Sequence, residues 1–137
     1  MQLITLKGRR IVEGRCRAEA LVSTKPISFL AGVDPADGKI IEKCHDLYGK
    51  CVKDMVLCFP HGHGSTVGSY ALYSLAKKNL APKAILNQTA DPVVVVGAII
   101  AGIPMIDQID IKKIKTGDLL EVDAYNGLVK ILKRKES

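Results

Sequence analysis

The sequence predicts an α/β domain of the β/β/α kind, layered or barrel-like, with mixed β-sheets and two main helices. Three patterns carry this reading. The first half of the chain reads as β, two strand–helix units follow, and the chain closes on a hairpin pattern around Asn126-Gly127. With 137 residues, 47% hydrophobic and 25% charged, the chain is long enough for one domain over 1–137 with an ordinary core. Aromatics are 4% and Trp is absent, so Val, Ile, Leu and Ala must fill that core.

Taken in order, residues 3–6 and 11–20 alternate apolar and polar like strands, with Gly8 between them, and 21–23 extend the second before Lys25-Pro26 breaks it. Gly32 to Gly38 is a loop. Asp37-Gly38 marks a turn, because Gly accepts positive φ at no steric cost. Residues 52–59 are mostly apolar and read as a buried strand. Pro60-His61-Gly62-His63-Gly64-Ser65 is a Gly-rich loop opening into a helix over 66–79. Val67, Tyr70, Ala71, Ser74 and Leu75 form its expected face, and Lys77 and Lys78 suit the negative end of its dipole. Pro82 closes that unit, and 84–86 form a short strand. Asp91-Pro92 is an N-cap with Pro at the first helical position, so the second helix runs to about Ala101 and stops at Gly102, although its valine run is β-prone. Residues 105–106 make a further strand, and 119–122 pair with 128–132 through the Asn126-Gly127 turn.

Net charge is +6, which suits an anionic small molecule or an acidic partner. The dense basic stretch, Lys130, Lys133, Arg134 and Lys135, has no aromatic among it. It reads as a solvated tail over about 133–137 rather than a nucleic-acid patch. The apolar run 93–103 is shorter than the roughly 20 residues a membrane span needs, and no signal peptide is visible, so a cytoplasmic protein that engages neither membrane nor nucleic acid is expected. Cys16, Cys44, Cys51 and Cys58 form no Cys-x-x-Cys pair. Free, partly buried thiols are the plainer reading, against a metal reading of the seven-residue steps from Cys44 to Cys58.

Chemistry concentrates in residues 59–70. A buried strand ending in glycines and opening into a helix lets a ligand approach the main chain. The first helical N–H groups and the positive dipole end there favour an anion. Ser65 has two open readings: an ordinary N-cap, or a group that contacts a ligand or takes a proton. His63 is likewise either a hydrogen-bonding loop residue or a base. The spacing matches neither a P-loop nor a dinucleotide fingerprint, since Gly68 comes one position late after Gly62-His63-Gly64.

Pro60, Gly62, Gly64, Ser65, Thr66, Gly68 and Ser69 match the loop P-x-G-x-G-S-[ST]-x-G-S, which resembles that of the aconitase X type small subunit in the aconitase superfamily. The similarity extends over Gly8-Arg9, Glu13-Gly14, residues 18–23, Ser28-Phe29, residues 32–38, Asp91-Pro92, Gly97-Ala98, residues 102–104 and 116–118, nearly the whole chain. The resemblance implies a swivelling β/β/α domain that works as the small subunit of a heteromeric hydro-lyase. It implies Ser65 as the proton acceptor and Gly62, His63, Gly64 and Thr66 as substrate contacts. It also implies no metal or cofactor in this chain: the iron–sulfur cluster, held by three Cys ligands with one iron open, belongs to the large subunit. In ordinary aconitases the loop places an Arg where this chain has Val67, so a citrate-like substrate is not implied. Two competing readings remain: a dehydratase of the same family for another hydroxy acid, and a non-catalytic anion-binding module.

Overall fold

The computed structural model describes residues 4–64 and 67–135. The strands are β1 (Ile4–Lys7), β2 (Arg9–Val12), β3 (Arg15–Val22), β4 (Val56–Phe59), β5 (Ala84–Asn87), β6 (Met105–Asp107), β7 (Leu119–Asp123) and β8 (Leu128–Lys133). The helices are α1 (Gly68–Lys77), between β4 and β5, and α2 (Pro92–Ala101), between β5 and β6. The strand order is β1-β8-β7-β3-β4-β5-β6-β2. The two edge strands, β1 and β2, follow one another with only Gly8 between them, so the sheet curls until its two ends meet, and the fold is barrel-like. Gly8 sits at this seam, donating its N–H to Gly127 O at 2.8 Å.

β3, β4, β5 and β6 are mutually parallel, whereas β1, β8, β7 and β2 add antiparallel pairs, giving the mixed sheet the sequence predicts. All four residues of β4 and of β5 are buried, because both faces of the parallel part are covered. Alternate residues feed two cores. Val56, Cys58, Ala84, Leu86, Leu120, Val122 and Val129 fill the barrel interior. Leu57, Phe59 and Ile85 face outward onto Leu72 and Leu75 of α1 and Val94 and Ala98 of α2. The irregular stretch between β3 and β4 adds Ile27, Phe29, Val33, Ile40, Leu47 and Val52 to that outer core.

Three expectations need correction. The single strand over 11–20 is two strands, β2 and β3, broken at Glu13-Gly14. The chain leaves its pairing with β6 there and joins β4 and β7, and Gly14 takes φ +150 at the break. The strand over 52–59 begins only at Val56. Asp54 adopts φ +59, which an L-residue in a strand does not, so Val52 to Met55 turn instead. The buried face of α1 is Gly68, Ser69, Leu72 and Leu75, rotated from the expected one, with Tyr70 and Val67 outside. Gly97 of α2 causes this. A Cβ there would lie 3.0 Å from a Leu72 side-chain carbon and 3.3 Å from Ser69 Cα, so α1 presses its Ser69–Leu72 edge onto the gap. At the C-terminus, Lys133 ends β8, and Arg134 Nη1 pairs at 2.9 Å with Asp118, which is fully buried.

Candidate functional site

Because β3 to β6 run parallel, the segments leaving their carboxyl ends gather at one end of the sheet, where open α/β sheets place ligands. The Gly-rich loop leaves β4 there. Its base is fixed by β5: Asn87 Nδ2 donates to Phe59 O at 2.9 Å, and the Gln88 and Thr89 N–H groups both donate to Pro60 O at 3.1 Å. Asn87 is fully buried, and its Oδ1 has no hydrogen-bond partner among the described residues, while its Nδ2 holds this carbonyl.

The middle of the loop is held from two sides. Gly62 makes an isolated parallel bridge with Ile27, and His63 N–H donates to Ile27 O at 3.2 Å. A Cβ on Gly62 would come within 2.4 Å of Val94 Cγ2, so only glycine lets the loop lie against the first turn of α2. Gly64 adopts φ +108, and its missing Cβ would be 2.9 Å from Ser28 Oγ. Its backbone is thus in the region that favours glycine, pressed on a buried hydroxyl. Asp91 caps α2 as the sequence indicates: its Oδ1 accepts from Val93 N at 2.8 Å and Val94 N at 3.4 Å. Ser69 Oγ donates to Val93 O at 2.6 Å, tying the start of α1 to the start of α2.

His63 is exposed on the loop, with Nε2 4.0 Å from Glu42 Oε1. His61 points elsewhere and donates from Nδ1 to Gly62 O at 2.8 Å. Thus Gly62, His63 and Gly64 stand together on one loop. Ser65 and Thr66, which join Gly64 to Val67, lie outside the described residues, as does the capping role considered for Ser65. The described part of α1 begins at Gly68. Val67 at its boundary already has helical dihedrals, and its carbonyl accepts from Tyr70 and Ala71.

The segment bearing Glu42 is anchored by a polar knot. Asp46 accepts from Ser23 Oγ at 2.7 Å, Thr24 N at 2.8 Å and Thr24 Oγ1 at 3.0 Å. Desolvation pushes the Asp46 carboxyl up, but these hydrogen bonds and the nearby His45 outweigh it, and the group sits below the usual carboxylate range. A second anchor lies at the end of β6. Asp107, almost fully buried, binds Arg9 through both oxygens (2.9 and 2.7 Å) and also accepts from Ala90 N at 3.0 Å, fixing the approach to α2.

Ser28, Glu42, Asn87 and Asp107 are site neighbours that sequence reasoning missed as such. Each reaches the loop or its supports from a distant part of the chain, and no local spacing announces that. The four cysteines are free. Cys58 is buried in β4, and burial pushes its thiol well up. Burial also pushes Cys16 up to about 11, against a smaller opposing effect of Lys83. Cys44 and Cys51 are exposed. Among the described residues no three His, Cys, Asp or Glu side chains converge on a metal position, so these cysteines do not fit an iron–sulfur cluster. Nor is any described helix long and apolar enough to cross a membrane.

Comparison with known proteins places this geometry. The family model described as the aconitase X swivel domain matches residues 5–131. The phosphomevalonate dehydratase small subunit of Thermococcus sibiricus is 55% identical over 126 residues, which cover 92% of this chain and 97% of that protein. Aconitase X from Thermococcus kodakaraensis, solved in its holo form, superposes with a TM-score of 0.93 at 49% identity, covering 95% of this chain and 99% of that one. 3-Isopropylmalate dehydratase from Methanocaldococcus jannaschii superposes with a TM-score of 0.54 at 20% identity, over 90% of this chain and 84% of that one, a likeness of fold alone.

Proposed function

The chain belongs to the aconitase X swivel-domain family, and on that premise we propose that it is the small subunit of a cytoplasmic phosphomevalonate dehydratase. In this reading it acts with a large subunit to remove water from (R)-5-phosphomevalonate, giving trans-anhydromevalonate 5-phosphate in an archaeal-type mevalonate pathway. The observation that carries it is full-length similarity, 55% over 92% of the chain, to a protein of that name, with the Gly-rich loop seated at the mouth of α1 and α2.

The proposed chemistry is an elimination. Ser65, as its alkoxide, takes the proton from the carbon beside the carboxylate, and the electron pair of the broken C–H bond becomes the second bond of the alkene. The hydroxyl on the neighbouring carbon leaves as hydroxide with the C–O pair. The proton held on Ser65 is then given up to that hydroxide through solvent, so that the net loss is water. Serine is a poor base unless its anion is stabilised. Backbone donors and the positive end of a helix do this best where water is excluded. The loop supports that role: Gly64 brings bare main chain to the surface beside Ser28, while the buried Gly62 seats the loop on Ile27 and α2. His63, beside Glu42, is the exposed hydrogen-bonding candidate for the substrate's anionic groups, and Thr66 is the second hydroxyl. Val67 occupies the place of a carboxylate-binding Arg in citrate-type relatives, which favours a different hydroxy acid. In this reading the iron–sulfur cluster belongs to the large subunit, and no step of this chain is routed through it.

The test is reconstitution. The chain and its large subunit, combined anaerobically with iron and sulfide, should dehydrate (R)-5-phosphomevalonate, while either subunit alone should not. An assembled complex that ignores this substrate and turns over a different hydroxy acid would contradict the assignment.

A further inference from the structure

α2 has the composition of a helix that is buried on every side. Its ten residues, Pro-Val-Val-Val-Val-Gly-Ala-Ile-Ile-Ala, include no charged or hydrogen-bonding side chain. A helix apolar all round belongs in an interior. In the isolated chain only Val94, Gly97 and Ala98 are buried, against α1 and the sheet. On the other side Val96 is 49% exposed, Ile99 57% and Ile100 43%. Across the helix–helix seam Tyr70 of α1 is 71% exposed. Tyr70, Pro92, Val93, Val96 and Ile100 line a groove of about 330 Å³, in which Val93, Val96 and Ile100 recur at helical spacing along one stripe.

This groove opens at the Gly-rich loop. Gly68 packs on Val93, with a Cβ there only 3.2 Å from Val93 Cγ1, and Gly62 packs on Val94 and Asp91. Whatever closes over the loop therefore lies over the start of the groove as well. A second copy of this chain is a poor occupant, because it would bring another +6 charge. A larger acidic partner fits both the charge and the apolar seat.

We propose that the large subunit seats on the α1–α2 groove from Tyr70 to Ile100, so that the surface closing the loop and the surface holding the subunits together are continuous. This rests on the small-subunit reading above and adds to it where the partner sits.

The test compares the wild-type chain with Ile100→Asp and the milder Ile100→Ser, a residue distant from the loop's chemistry. The affinity of each for the large subunit is titrated, the melting temperature of each free chain is measured, and each is sedimented alone over a range of concentrations. The proposal predicts that Ile100→Asp weakens binding by at least about thirtyfold, the scale of an interface hot spot. Ile100→Ser should weaken it less, and the wild-type chain alone should be monomeric. The melting temperatures should fall only slightly, Ile100→Asp more than Ile100→Ser because a carboxylate meets the negative end of the helix dipole. Unchanged affinity for the large subunit overturns it. So does a wild-type chain that dimerises by itself, with Ile100→Asp abolishing only that dimer. A wild-type complex that forms tightly, is weakened by Ile100→Asp and yet ignores 5-phosphomevalonate supports the seat while overturning the substrate assignment.

Discussion

The barrel half built from β1, β8, β7 and β3 and the half carrying α1, α2 and the Gly-rich loop bury apolar surface in different ways. In the first, alternation is clean. β7 reads half-buried, buried, half-buried, buried, half-buried, with Leu120 and Val122 inside and Glu121 facing out toward Arg17. Every strand there but the edge strand β1 has two neighbours, and the inward residues of β7 and β8 are buried within the chain, with Ile4 of β1 left exposed at the edge. In the second, α2 has no polar face, Tyr70 stands in solvent, and Asn87 keeps under the loop an oxygen with no partner among the described residues. Stability is thus invested in the barrel, and the unmet demands collect around the loop, as expected where a site is completed from outside.

The difference can be broken by mutation. Leu120→Ala, at a fully buried position of the barrel core, should cost about 2–5 kcal/mol of stability. Turnover per assembled complex should be unchanged. Chemical denaturation beside a turnover assay checks both, and a fall in turnover at full assembly would mean the two halves are coupled. Asp91→Ala should reverse the pattern. Loss of the cap costs only about 0.5–2 kcal/mol, but Asp91 also packs against Gly62, so turnover should fall by more than the melting temperature suggests. Asp91→Asn, which keeps a capping oxygen, should restore most of both. If Asp91→Ala lowers only stability, the loop does not depend on the start of α2.

The sequence shows these two halves unequally. The hairpin of β7 and β8 is plain from Asn126-Gly127, and Gly127 does adopt φ +68. The cap and extent of α2 follow from Asp91-Pro92 and Gly102, with the cap residue in αL at φ +70. Closure of the barrel is not legible, because it depends on β1 and β2 parting at Gly8 to opposite edges, a long-range pairing with no local signature. The face of α1 differs from the expected one because Tyr70 looks like core and Ser69 like surface, whereas close approach at Gly97 buries the serine. The loop itself is evident from its glycines. Its supports, Ser28, Asn87 and the Glu42 segment, are visible only in three dimensions.

The central claim is that the loop does chemistry rather than merely beginning a helix, and Ser65→Ala in the reconstituted complex tests it most directly. Turnover of 5-phosphomevalonate and melting temperature should be measured on the same preparation, with Thr66→Ala as the milder comparison. Loss of a proton acceptor predicts a fall of at least about 100-fold in turnover. Folding and assembly should be retained, within the roughly 0.5–2 kcal/mol of a lost cap. Near-normal turnover with only a lower melting temperature would make Ser65 a capping residue and contradict the account.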